Sequence, residues 1–240
     1  MLYWTYGVET LKVFRINTLF SSRLISPADP IFLSMIEDIF KSLAASSASG
    51  VGDVVLQQAL PGLSDALIHA SVEETWIASS ALGLLVGLVR GTPSEKLSQQ
   101  FFSSVAPGLF KCLAESDDRG VLENGIIFLT IMTRKNCGQI IAWKDGEGTS
   151  GLEYVLRLVA KQLRDQDESG GLVIGDLIIQ LMRQAGEAIL PVVPELLKEM
   201  ISRMRNAKTA TYTQVRNVSL VDWETLMLMS CRVSSFHLHS

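Results

Sequence analysis

Histidine and cysteine are scarce in this sequence, at three each in 240 residues. Cys112, Cys137 and Cys231 stand far apart, with no Cys-x-x-Cys pair and no histidine at zinc-ligand spacing. That pattern signals neither a disulfide framework nor a metal site, and it suits a reducing compartment. His237 and His239 lie in the last few residues, so His69 alone could act as a base, and its place at a helix end is explained by the interaction of an imidazolium with the helix dipole. No Ser-His-Asp, Cys-His or paired-carboxylate arrangement can be assembled from what remains. The glycine-rich stretch GEGTSG (146–151) lacks the Gly-Lys-Ser/Thr ending of a phosphate loop and reads as a loop leading into a helix capped by Thr149 or Ser150. An enzyme is therefore not expected, nor a bound cofactor.

Long apolar runs and excess basic charge are also missing. The longest run, Ile77 to Val89, has 13 residues, short of the roughly 18 to 20 that a membrane-spanning helix needs. It reads as a buried helix, and no membrane insertion is expected. The formal net charge of -4 argues against direct binding of nucleic acid and favours basic partners. The N-terminal MLYWTYGVETLKVFR has no basic start followed by an apolar stretch, so export is not expected and the Asn217 sequon reads as a chance match.

What the sequence does contain is helix-forming residues with apolar positions recurring at three and four, and 48% hydrophobic residues to fill a core. Turn-forming clusters divide these segments at 26–30, 46–53, 90–95, 116–120, 144–151 and 167–171. A motif recurs through them. ALPGLSDAL (59–67), VAPGLFKCL (105–113) and VVPELLKEM (192–200) share a proline two residues before a leucine, and GLEYVLRLV fits between them with Ser150 in the proline's place. The anchors Leu63, Leu109, Leu152 and Leu196 are spaced 46, 43 and 44 residues apart, and Leu67, Leu113, Leu156 and Met200 follow each by four.

Two helices per period of about 44 residues is the signature of HEAT or armadillo arrays, whose hairpins bury their open faces only by stacking. The fold expected is all-α: a right-handed α-solenoid of about four to five helical hairpins. These are placed at about 8–45, 53–91, 94–137, 149–186 and an incomplete 189–214, with an irregular tail over 215–240. Pro61 and Pro107 stand mid-helix and are expected to bend the first helix of each pair, whereas Pro194 stands near a helix start, where proline is tolerated.

Charge recurs with the same period. The turns within successive pairs carry Glu73 and Glu74, then Glu115, Asp117 and Asp118, then Asp165, Asp167 and Glu168. In a solenoid these turns share one edge. Neighbouring turns about 10 Å apart lie near the screening length of about 8 Å, so their fields partly add and make a candidate cargo-binding edge. Helix capping by the same carboxylates is the competing explanation. Trp76 and Trp143 read as core residues more readily than as partner anchors. Arg90, Arg134 and Arg183 end the second helices, where pairing with the dipole explains them.

The stretches ISPADPIFLSMIEDIFKSLA, RQAGEAILPVVPELLKEMISRM and NAKTATYTQ resemble the importin-beta type of karyopherins, closest to the importin nine branch in its fungal form, over roughly residues 9 to 214. The resemblance implies a nucleocytoplasmic transport receptor, shuttling between cytoplasm and nucleus and passing nuclear pore proteins. Its cargo would be basic protein such as histones or ribosomal proteins, released on contact with the Ran GTPase. Family members are about four times longer and bind Ran mainly through their first repeats. A fragment beginning inside the array is therefore expected, with Ran contact belonging to the full-length family. After Gln214 the resemblance stops, as expected of a truncated gene model. The alternative is a generic HEAT scaffold or regulatory subunit of a protein complex.

Overall fold

A computed structural model of the chain describes residues 30–46, 50–71, 73–97, 100–164 and 171–206. The helix expected over 8–24 and the tail over 215–240 lie outside them. The described residues form α1 (Pro30–Ala44), α2 (Val51–Ile68), α3 (Thr75–Gly91), α4 (Phe101–Glu115), α5 (Arg119–Ala142), α6 (Gly151–Arg164), α7 (Gly171–Gln184) and α8 (Val193–Asn206). Short 3-10 segments cover Ser94–Lys96 and Gly186–Val192. Among these residues there is no strand, only an isolated bridge between Lys144 and Ser150.

Each boundary follows from local chemistry. Pro30 opens α1, where its missing N–H costs nothing. Gly50 enters α2 at φ +79°, a backbone that suits glycine. Asp118 caps α5 by accepting from the Val121 N–H at 3.0 Å, and Ser150 caps α6 by accepting from the Glu153 N–H at 3.2 Å. The apolar run expected to be a buried helix is α3, buried without a break from Leu84 to Val89.

The chain forms two compact units, residues 1–158 and 159–240. In the first, α2 packs on α3 and α4 on α5, as hairpins must. The same-layer contacts are the more telling: α1 lies on α3 and α3 on α5, while α2 lies on α4. Two layers in which α1 meets α3, α3 meets α5 and α2 meets α4 across one hairpin make an all-α solenoid. The anchor leucines sit where this packing needs them. Leu63, Leu67 and Leu109 are fully enclosed, and Leu113 and Leu152 are buried. Removing such a side chain costs about 2 to 5 kcal/mol through lost burial and the cavity left behind.

In the second unit the 3-10 segment Gly186–Val192 contacts both α7 and α8. Its core holds Ile174, Leu177, Leu181, Ile189 and the anchor Leu196. Leu156 and Met200, the remaining partner positions, are half-buried.

Pro61 and Pro107 lie inside α2 and α4, both exposed, and both helices run on across them; Pro194 is the second residue of α8. The second helix expected to end at Arg134 is part of a longer element. Asn136 breaks the helical backbone at φ −158° and ψ 70°, and a short second piece continues to Ala142.

Glycine sets how closely the layers approach. A Cβ at Gly87 would stand 2.8 Å from the Glu37 carbonyl oxygen in α1, one at Gly91 would collide with the Lys41 carbonyl, and one at Gly108 in α4 would stand 2.8 Å from Leu67 Cβ in α2. Gly83, Gly87 and Gly91 recur every four residues, so α3 offers α1 a groove of bare backbone. Gly87→Ala should destabilise the protein by about 1 to 3 kcal/mol despite alanine's better helix propensity, because backbone atoms must yield. Gly138→Ala is the control. Its Cβ would meet only Asn136 Oδ1 at 3.5 Å, so it should be neutral or stabilising by up to about 1 kcal/mol; urea unfolding of both variants reads the difference.

Candidate functional site

The first two acidic turns are neighbours in space. Thr75 Oγ1, where α3 begins, donates to Asp118 Oδ2, where α5 begins, at 3.2 Å and across 43 residues of sequence. Asn124 Nδ2 donates to the Ser79 carbonyl at 3.1 Å one turn further on. The turn bearing Glu73 and Glu74 is thereby set beside the turn bearing Glu115, Asp117 and Asp118. Asp165, Asp167 and Glu168 lie outside the described residues.

The five described carboxylates do different work. Asp118 is half-buried and structural, its Oδ1 capping α5 and its Oδ2 tying the turn to the preceding hairpin. Its own N–H donates to Ser116 Oγ at 3.0 Å. Glu73, Glu74, Glu115 and Asp117 are exposed. Glu74 occupies the N-cap position of α3 without making a side-chain cap, and the Ser71 hydroxyl accepts from its N–H at 3.1 Å. Capping thus accounts for Asp118 and not for Glu74. A cleft of about 20 Å³ between the turns, walled by Ala78, Cys112 and Val121 with Glu115 at its rim, holds about one water, so anything bound here is bound on the surface.

His69 is exposed at the end of α2, its Nδ1 3.0 Å from the Asp65 carbonyl and 3.1 Å from the Asp65 carboxylate, which fits the helix-end role. Arg90 departs from the expected pairing with its own helix end. Its guanidinium reaches Glu37 in α1 at 3.5 Å, because the close approach of α1 and α3 brings that carboxylate alongside.

Trp143 belongs to an aromatic cluster, edge-on to Phe102 at 6.3 Å and tilted against Phe110 at 5.4 Å. Phe110 stacks on Tyr154 at 4.7 Å. Trp143 is nonetheless half-buried at the edge of the core and not enclosed in it, and Trp76 is half-buried as well. The loop from Trp143 to Ser150 is organised by one carboxylate. Asp145 Oδ1 accepts from the Glu147 and Thr149 N–H groups at 2.9 and 2.8 Å, and Oδ2 accepts from the Tyr154 hydroxyl at 2.6 Å. With its donors filling it, this glycine-rich loop is built around its own side chain and not around a phosphate. Among the described residues no cluster of His, Cys, Asp and Glu could hold a metal ion, and no helix is long and apolar enough to cross a membrane.

Sequence reasoning passed over Asp145 and Tyr154. Nine residues apart across a loop and a helix start, they have no periodic signal.

The chain is similar to importin-9 of Drosophila melanogaster. The two are 25% identical over 178 residues, which is 74% of this chain and 17% of the relative's length. No protein-family model matches the chain.

Two expectations follow. Asp118→Ala should cost about 1 to 3 kcal/mol by removing a cap and a hydrogen bond, whereas Glu73→Gln, Glu74→Gln and Glu115→Gln should each change stability by less than about 0.5 kcal/mol; thermal unfolding separates them. The Tyr154 hydroxyl, helped by the loop N–H groups, holds the Asp145 carboxyl below its ordinary value. A depressed carboxyl stabilises the fold above its unfolded pKa of about 3.9 and loses that contribution as pH falls through the folded value. The Asp145 carboxyl should therefore titrate at higher pH in Tyr154→Phe than in the unsubstituted chain, as read by carboxyl NMR. An unchanged titration would contradict the assigned cause.

Proposed function

We propose that this chain serves as a segment of a nuclear import receptor of the importin type, holding basic protein cargo on the edge where its acidic turns meet. The observation that carries the reading is the adjacency of those turns, fixed by the Thr75–Asp118 hydrogen bond, with four carboxylates beside it that face solvent. Similarity to importin-9 over most of the chain supports the same role. Because the chain spans about a sixth of that relative's length, contact with Ran and with nuclear pore proteins is assigned in this reading to longer proteins of the type.

Binding here involves no chemical step. Carboxylates on a surface turn keep their hydration and attract ammonium and guanidinium groups through a field that adds between turns. Histones and ribosomal proteins offer such groups at high density, and a protein that holds them would work in both cytoplasm and nucleus.

The test is titration of the full chain with core histone dimers at several salt concentrations. Replacing Glu73, Glu74, Glu115 and Asp117 by their amides should weaken binding about tenfold at low salt, since surface charges contribute a few tenths of a kcal/mol each, and should flatten the salt dependence. Equal affinity and equal salt dependence in the two proteins would overturn the cargo edge. Capture of a partner indifferent to these charges would instead fit a HEAT-type scaffold within a protein complex.

A further inference from the structure

Two lysines close the joint between the α2/α3 and α4/α5 hairpins, one in each layer. Lys111 on α4 donates through Nζ to the carbonyl oxygen of Ile68, the last residue of α2, at 2.7 Å. Lys135 on α5 donates to the carbonyls of Val89, Arg90 and Thr92 around the end of α3, at 2.6, 3.1 and 2.5 Å. Because α4 and α5 run antiparallel, the two contacts stand at opposite edges of the stack.

Their targets are carbonyls that a helix leaves without a partner in its last turn. At the end of α2 the His69 N–H takes the Asp65 carbonyl, Cys112 Sγ takes Leu67, and Lys111 takes Ile68. At the end of α3 the Thr92 N–H and hydroxyl both take the Leu88 carbonyl, and Lys135 takes the next two. A helix C-terminus carries about half a negative charge, so an ammonium group held there by carbonyls is bound through charge as well as hydrogen bonds, and the Glu95 carboxylate adds to the field at Lys135. Lys135 is half-buried and meets three oxygens with three donors, the most its head group can supply.

We propose that Lys111 and Lys135 form a two-point latch, in which the positive charge of one hairpin holds the helix ends of the hairpin before it and so keeps their joint closed. Neutralising the pair frees the ends of α2 and α3 and lets the joint open while each hairpin stays folded. The inference is independent of any cargo. It concerns how stiffly two neighbouring hairpins are joined, a property that charge removal at lysine, by substitution or by acylation of the exposed Lys111 amine, would change.

Hydrogen exchange with mass spectrometry on the full chain tests it, comparing the unsubstituted protein with Lys111→Met, Lys135→Met, their combination and Lys111→Arg. The double variant should exchange roughly three- to thirtyfold faster over residues 66–71 and 88–93, the range expected from helix-end charge interactions, with the interiors of α2 and α4 unchanged. Lys111→Arg should keep protection near that of the unsubstituted chain over 66–71. Unchanged exchange at both helix ends, or an equal rise through every helix, would overturn the proposal. Should Lys135→Met fail to fold, Lys111→Met decides alone, since its side chain is exposed: a rise confined to 66–71 supports the latch and none overturns it.

Discussion

A pair of helices has two apolar faces and can bury only one of them in itself. Everything in the first unit answers that constraint. The tie from Thr75 to Asp118 and that from Ser79 to Asn124 join residues 43 and 45 apart, about one structural period. Buried Leu67 meets Gly108 in the same way, at the distance where a second side chain would not fit. Stability in such a stack lives at the junctions, and glycine at Gly87, Gly91 and Gly108 lets the junctions be tight.

The same geometry decides what the surface can do. Stacking hairpins sets the turn bearing Glu73 and Glu74 beside the turn bearing Glu115, Asp117 and Asp118. It also divides the carboxylates by role: Glu74 and Asp118 both stand at N-cap positions, but only Asp118 is drawn into the junction as cap and tie, while Glu73, Glu74, Glu115 and Asp117 are exposed. The structural seam and the proposed binding edge thus adjoin one another in the same two turns. The cleft between the two described turns fits about one water.

Much of this was legible in the residues alone because a repeat multiplies its own signal. The buried anchors Leu63, Leu109, Leu152 and Leu196, the buried run from Leu84 to Val89 in α3 and the Ser150 cap all follow from spacing and side-chain chemistry. Three things were less legible. The glycine groove on α3 has a four-residue period that reads as an ordinary helix until a partner helix is laid on it. Arg90 appeared to serve its own helix end because periodicity says nothing about a carboxylate in the preceding hairpin, where Glu37 lies. Asp145 and Tyr154 are joined by loop geometry, which no repeat encodes. The division of labour among the acidic residues is set by packing, and capping and solvent exposure look alike in a string of Glu and Asp.

The central claim is that contacts run from each hairpin to the next and do not converge. Nuclear Overhauser mapping of the intact chain with labelled methyl groups addresses it most directly. The stack predicts cross-peaks between Leu67 or Ile68 and the backbone of Gly108, and between Ile140 and Gly151, with none between Leu63 and Leu152, two periods apart. Cross-peaks joining Leu63, Leu109 and Leu152 to one another at a common centre would contradict it.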